Sequence, residues 1–112
     1  MIFEICCGNL QSALNAQEAG ANRVELCSAL SLGGLTPSYG FIEQARRRLK
    51  IDINVLIRPR QGDFLYESEE VAEMISDIQM CAKLGVNGVV IGALDPYGNV
   101  DMDSCRAMVA VA

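Results

Sequence analysis

The chain has 112 residues, 51% of them hydrophobic, and a formal net charge of −5. This length allows one modest hydrophobic core, and the acidic balance lacks the basic surface that nucleic-acid binding requires, so we expect no nucleic-acid partner. The sequence has no run of eighteen apolar residues that would predict a membrane span, so we expect no membrane partner. Glu4 interrupts the only apolar run near the start, so we expect no signal peptide and a cytoplasmic location.

Short β-rich runs alternate with helical patterns along the chain. The predicted strands are Ile2–Cys6, Arg23–Cys27, Ile53–Ile57 and Gly88–Gly92. The predicted helices cover residues 10–19, 36 to about 50, about 68 to 84 and the stretch from about 102 onward, and their expected N-caps include Thr36, Ser68 and Asp101. A strand followed by a helix, four times over, predicts an α/β fold with a parallel sheet and right-handed crossovers.

Residues 19–24 and 84–89 are near repeats, in which a helix ends at glycine and a strand follows within a few residues. This recurrence favours a parallel (β/α)8 TIM-type barrel, of which the chain supplies about the first four β/α units. A small open sheet of the flavodoxin type is the alternative. Because the chain stops at Ala112 in an apolar stretch of its last predicted helix, we interpret residues 1–112 as the N-terminal half of a single barrel domain, truncated at the C-terminus.

The first two predicted strands end in the same pattern, Glu-x-Cys. Side chains alternate along a strand, so the Glu and Cys of each pattern share one face. In a barrel, we expect this face to line the lumen, with the cysteines nearer the C-terminal mouth, where barrel active sites lie. The residues expected in the lumen are Glu4, Cys6, Glu25 and Cys27. The residues expected on the helix-covered face are Phe3, Ile5, Val24 and Leu26.

Three arginines offer counter-charges for the two glutamates. Arg23 begins the second strand, and Arg58 and Arg60 flank a proline just past the third. A guanidinium group fits a carboxylate and equally a phosphate or another anionic substrate. Two interpretations follow. Glu4, Glu25 and Arg58 form a structural ion-pair network, or the two glutamates form a catalytic and ligand-binding group with Arg58 and Arg60.

The chain has five cysteines and no histidine. An odd cysteine count without a secretory signal argues against a disulfide framework, and the absence of a C-x-x-C pair gives a zinc site little support. Cys6 and Cys27 occupy equivalent places on neighbouring strands. Because soft thiolates select Cu(I), these two residues are candidate copper ligands, whereas buried structural thiols are the alternative interpretation.

A glycine-rich segment, residues 33–38, leads into the second predicted helix. Free N–H groups and the helix dipole favour anions at a helix N-terminus. The candidate anion-binding residues are Gly33, Gly34, Thr36 and Ser38. Ordinary loop chemistry is the alternative, because paired glycines before a capped helix are common.

Seven stretches spread over most of the chain carry a resemblance to a known family. They are Glu4–Cys7, Asn15–Gln17, Gly20–Cys27, Gly33–Ser38, Ile57–Arg60, Gly62–Tyr66 and Gly92–Leu94. On these stretches the chain resembles the CutC copper homeostasis family. Gln61 departs from the pattern, since the family usually has glycine there.

The resemblance implies a TIM-type barrel of about twice this length, a cytoplasmic protein that is often a homodimer, and a role in copper homeostasis. It also implies a barrel mouth built from Glu, Arg, Asp and His. Two functions are compatible with these expectations. One is Cu(I) binding through Cys6 and Cys27, with Cys7 as a further candidate ligand. The other is an enzyme that acts on a small anionic or phosphorylated molecule, with the candidate catalytic residues Glu4, Glu25, Arg58 and Arg60.

Overall fold

The computed structural model describes all residues 1–112 and has an α/β fold with one four-stranded parallel sheet. The strands are β1 (Glu4–Cys7), β2 (Arg23–Leu26), β3 (Asp52–Leu56) and β4 (Gly88–Val90). The helices are α1 (Leu10–Glu18), α2 (Tyr39–Arg48), α3 (Ser68–Leu84) and α4 (Met102–Val111). The sheet order is β1-β2-β3-β4, so each of the first three helices connects two neighbouring parallel strands, as the alternating pattern predicts. None of the helices has the length and apolar character that crossing a membrane requires.

The core lies between one face of the sheet and the helices. Val24 and Leu26 of β2 pair in register with Ile53 and Val55 of β3, and all four are fully buried. The helices contribute the buried side chains Ala13, Ala16, Ile42, Ala45, Met74, Ile78, Cys81 and Met108. The small residues of α1 allow close approach to the sheet, whereas the longer side chains of α3 fill the space beneath it. The prediction that Val24 and Leu26 face the helices is confirmed.

Strand β1 forms one edge of the sheet. Ile5 pairs with Val24 and so shares the helix-facing side, yet its side chain is 44% exposed, and the preceding Phe3 is 58% exposed. These two residues border a cavity of about 530 Å³ beside α1. Two exposed apolar side chains therefore lie beside a strand edge that has no partner strand.

Two of the predicted helix caps are wrong. Thr36 is extended, because its amide donates to the Arg58 carbonyl and its hydroxyl accepts from the Arg58 amide; α2 starts later, with the Ser38 hydroxyl accepting from the Phe41 amide. The cap of α3 is Glu67 rather than Ser68, in a reciprocal capping box with Glu70. The prediction for α4 is confirmed, since the Asp101 carboxylate accepts from the Ser104 amide.

The near-repeated segments each contain an asparagine that bonds to the start of the preceding strand. The Asn22 amide donates to the Phe3 carbonyl at 3.0 Å, and its Oδ1 accepts from the Phe3 amide at 2.7 Å. Asn87 makes the same pair of bonds to Ile53, both at 2.9 Å, and its Oδ1 also accepts from Arg46. Each clamp satisfies backbone groups that the short strands leave unpaired at their N-terminal ends, so the repeat is a device that fixes strand register.

We expect Asn87→Ala to lower the free energy of unfolding by about 1–3 kcal/mol, because it leaves the buried Ile53 amide without an acceptor. Denaturant unfolding followed by circular dichroism measures the change. Asn99→Ala is the matched control, since Asn99 is exposed in the β4–α4 connection. Equal stabilities of the two variants would show that the clamp contributes nothing.

Candidate functional site

Two thiols meet one carboxylate on the face of the sheet opposite the helices. Cys6 is the register partner of Glu25, and its Sγ lies 3.6 Å from Glu25 Oε2. Cys27, the residue that directly follows β2, has its Sγ 3.8 Å from Glu25 Oε1. We call Cys6, Glu25 and Cys27 the thiol–carboxylate cluster. Strand alternation creates it, because the Glu-x-Cys pattern of β2 places both of its polar side chains beside the end of β1.

The two thiols of the cluster differ in exposure. Cys6 is exposed, whereas Cys27 is only 2% exposed. Burial is the main cause that raises the pKa of Cys27 to about 12, and the negative charge of Glu25 raises it further. Partial burial and the Glu25 charge also raise the pKa of Cys6. Cys6 also raises the pKa of Cys27, whereas a side-chain hydrogen bond with Cys27 lowers the pKa of Cys6.

Glu4 lies on the same face but in a different environment. Its Oε2 accepts from Arg23 Nε in an ion pair and from Asn54 Nδ2 at 3.0 Å. Asn54 reaches across β2 from β3, and Gly88 on β4 gives it room, because a Cβ there would lie 2.6 Å from Asn54 Oδ1. Glu4 is therefore held by a cation and an amide, whereas Glu25 is in no ion pair.

Arg58 does not pair with either glutamate, so the network expected among Glu4, Glu25 and Arg58 is not formed. Its Nη1 donates to the carbonyls of Leu32 and Gly34, both at 3.0 Å, and its Nη2 donates to the Gly62 carbonyl at 2.9 Å. Its guanidinium carbon lies 5.1 Å from the centre of the Phe64 ring. Only Nε, which is buried, has no partner. Arg58 thus joins the β2–α2 and β3–α3 loops.

Arg60 is fixed within the β3–α3 loop. Its Nε lies 2.6 Å from Glu70 Oε1, its Nη2 lies 3.0 Å from Asp63 Oδ1, and its guanidinium stacks over Tyr66. Further N–H groups donate to the carbonyls of residues 61, 63 and 65. The hydrogen bond from Arg60 lowers the pKa of Glu70. With its donors already satisfied, Arg60 has little capacity left for a bound anion.

The backbone of the glycine-rich loop is also satisfied internally. The Gly33 and Gly34 amides donate to the Leu30 and Ala29 carbonyls. Thr36 is occupied by Arg58, and the Ser38 hydroxyl caps α2. Both glycines have positive φ values, +89° and +93°, which only glycine adopts without strain. The glycines are thus explained by loop geometry, and anion binding at Gly33, Gly34, Thr36 and Ser38 stays a prediction.

The remaining cysteines lie apart from the cluster. Cys7 is buried on the helix-facing side, where it cannot join Cys6 and Cys27; Cys81 is buried on α3, and Cys105 is half-buried on α4. No group of three or more His, Cys, Asp or Glu side chains is arranged to hold a metal ion.

Sequence reasoning missed Asn54, Phe64, Tyr66 and Glu70. The signals for the last three were present, since both aromatic residues follow an arginine by six positions and Glu70 follows Glu67 by three. Asn54 could be found from strand alternation, because it is the register partner of Glu25.

The model of the CutC family matches residues 1–112. A curated relative from Xylella fastidiosa (strain 9a5c), described as a family protein CutC, is 55% identical over 110 residues. Another of the same description, from Xanthomonas campestris pv. campestris (strain 8004), is 50% identical over 112 residues. The alignments cover 98% and 100% of this chain but 41% and 47% of those relatives, so the chain spans less than half of their length.

Solved structures agree with the sequence comparison. A chain from Streptococcus agalactiae, assigned as the copper homeostasis protein CutC, superposes with a TM-score of 0.92 at 36% identity, over 99% of this chain and 55% of that one. A chain from Burkholderia cenocepacia J2315, assigned as a phosphonomutase, has a TM-score of 0.66 at 19% identity, over 99% of this chain and 46% of that one. The second likeness concerns the fold alone.

We expect Glu25→Gln to lower the pKa of both Cys6 and Cys27, because it removes the negative charge that opposes thiolate formation. The measurement is the pH dependence of thiolate absorbance in the ultraviolet, with each cysteine retained singly. Glu18→Gln, a substitution on the exposed end of α1, is the control. Thiol titrations that do not change in Glu25→Gln would mean that Glu25 does not act on the sulfurs.

Proposed function

The chain belongs to the CutC family, and from this premise we propose that it is part of a cytoplasmic copper homeostasis protein that binds Cu(I) between Cys6 and Cys27. The observation that carries the proposal is the convergence of these two thiols on Glu25. Thiolates are the soft ligands that select Cu(I), and two of them suffice for that ion. The cytoplasm suits such a site, because its reducing conditions keep both thiols free.

We propose further that residues 1–112 supply the first four β/α units of an eight-unit TIM-type barrel. The strand order 1-2-3-4, with polar side chains on the face opposite the helices, is what one half of such a barrel requires. The exposed side chains of Phe3 and Ile5 beside the β1 edge give the other half an apolar surface to cover. In that barrel the thiol–carboxylate cluster faces the lumen, near the C-terminal ends of the strands. The homodimer implied by the family resemblance stays a prediction.

The site would bind Cu(I) in competition with protons. Both thiols have raised pKa values, so each is protonated at neutral pH and releases its proton when its sulfur binds the metal. Apparent affinity therefore rises with pH. The slope is about 100-fold per pH unit when both sulfurs bind as thiolates and about 10-fold when only one does.

We expect Cys6→Ser and Cys27→Ser each to weaken Cu(I) binding by more than the roughly 10–100-fold that loss of an outer-shell partner causes, because each variant removes one of two ligands. Competition with a chromophoric Cu(I) chelator, under anaerobic conditions, measures the affinity. Cys105→Ser is the matched control, since Cys105 is a half-buried thiol outside the cluster. An affinity that stays unchanged in Cys27→Ser, or that changes equally in Cys105→Ser, would refute the site.

A second candidate function is an enzyme acting on a small anionic molecule through Glu4, Glu25, Arg58 and Arg60. One observation favours it: Glu25 has no cationic partner, and a carboxylate of this kind near a barrel mouth suits acid–base chemistry. The arginines support it less, because loop groups already occupy most of their donors.

If the second function holds, inorganic phosphate will shift the amide resonances of residues 33–38 and 58–64 in a saturable way. These two segments contain the glycine-rich loop and both arginines, which are the groups expected to bind the anion. Titration of the protein with phosphate and with chloride at equal ionic strength measures the effect. Shifts that are the same for both salts would indicate general screening and would count against a site for anions.

A further inference from the structure

The burial of Cys27 has a specific structural cause. Cys6 and Cys27 project from neighbouring strands on the same face, yet only Cys27 is covered. The cover is the β2–α2 loop, which folds back over the end of β2 through an antiparallel bridge between Ser28 and Leu35. Gly34 makes the contact, since a Cβ at this position would lie 3.9 Å from Cys27 Sγ and 2.9 Å from Leu56 Cδ2. The contact with the sulfur would be an ordinary one, so glycine is favoured here by the close approach to Leu56 and by the positive φ of +93°.

Arg58 holds the covering loop in place from the neighbouring strand. The carbonyl of Gly34, the residue that covers Cys27, accepts a hydrogen bond from Arg58 Nη1, and so does the carbonyl of Leu32. Gly33 leaves space for this guanidinium, because a Cβ there would lie 2.9 Å from Nη1. The two consecutive glycines thus leave room for Arg58 at one position and for Leu56 at the other.

The other end of Arg58 is anchored in the β3–α3 loop. Nη2 donates to the Gly62 carbonyl, and the Phe64 ring lies against the guanidinium plane. That loop is itself fixed by the ion pairs of Arg60 with Asp63 and Glu70. The Arg58 side chain therefore ties the β2–α2 loop to the β3–α3 loop, in addition to the backbone bonds between residues 36 and 58.

We propose that Arg58 is a positioning residue that keeps the β2–α2 loop closed over Cys27, so that a soft metal ion first meets the exposed Cys6 and reaches Cys27 only when this loop opens. The inference deepens the proposed function, since it concerns access to the same thiol pair. Charge-assisted hydrogen bonds to carbonyls are among the stronger ones, so their removal shifts the loop markedly towards open states.

Alkylation by N-ethylmaleimide, resolved for each cysteine by mass spectrometry, tests the proposal on the metal-free protein. In the unsubstituted protein we expect Cys6 to react quickly and Cys27 slowly. Arg58→Gln should raise the rate at Cys27 by on the order of 10–100-fold, because it breaks the bonds to the Leu32 and Gly34 carbonyls. Cys81, which is buried on α3 outside the thiol–carboxylate cluster, should keep its slow rate.

Two further variants separate loop opening from general unfolding. Arg60→Gln disturbs the β3–α3 loop but removes no bond to the β2–α2 loop, so Cys27 should stay protected. Arg58→Lys keeps the charge but cannot bridge three carbonyls. The rate of Cys27 alkylation in this variant should therefore fall between the rates in the unsubstituted protein and in Arg58→Gln. Reaction of Cys27 that is unchanged in Arg58→Gln, or that rises only in step with Cys81 in both Arg58 variants, overturns the proposal. Because no copper is used, this result is independent of whether Cys6 and Cys27 bind Cu(I).

Discussion

Side-chain alternation along four short parallel strands organises the molecule. Each strand sends one set of side chains towards the helices and the other set to the opposite face, and the parallel register aligns those sets from strand to strand. The helix-facing set is apolar and forms the core. On the opposite face, the same register sets Cys6 beside Glu25 and Glu4 beside Arg23. A slip of one residue would exchange the two faces, so the asparagine clamps that fix the register also maintain the site.

The two glutamates on this face show how neighbours determine chemical character. Glu4 has a guanidinium and an amide as partners, which suits a structural role in joining β1, β2 and β3. Glu25 has only two thiols, and its charge makes both of them harder to ionise. A metal ion at the sulfurs would reverse this relation, because its positive charge would be attracted to the carboxylate while it displaces the thiol protons. Under the proposed function, the cluster would thus hold protonated thiols without the metal and thiolates with it.

The fold and the members of the cluster could be predicted because both depend on short-range periodicity. A period of two residues is enough to place Glu4, Cys6, Glu25 and Cys27 on one face, and the alternation of strands and helices is enough for the parallel sheet. The bonds of Arg58 could not be predicted in this way. They join its guanidinium to carbonyls at Leu32 and Gly34, and they depend on the path of a loop with two positive φ values. Hydrophobic patterning contains no information on which carbonyls a loop presents.

The same limit explains the misplaced cap at Thr36, where tertiary contacts overrode local preference. Thr36 has the right chemistry for an N-cap, but its amide and hydroxyl are both used in pairing with Arg58. Arg58 also donates to the carbonyl of Gly34, which lies near Cys27. Thr36, which does not cap α2, therefore belongs to the loop that shields this thiol. Shielding and ionisation are then linked, because the burial that protects Cys27 is also the largest cause of its raised pKa. Opening the loop would lower that pKa as well as expose the sulfur, and both changes would favour a thiolate ligand at the same moment.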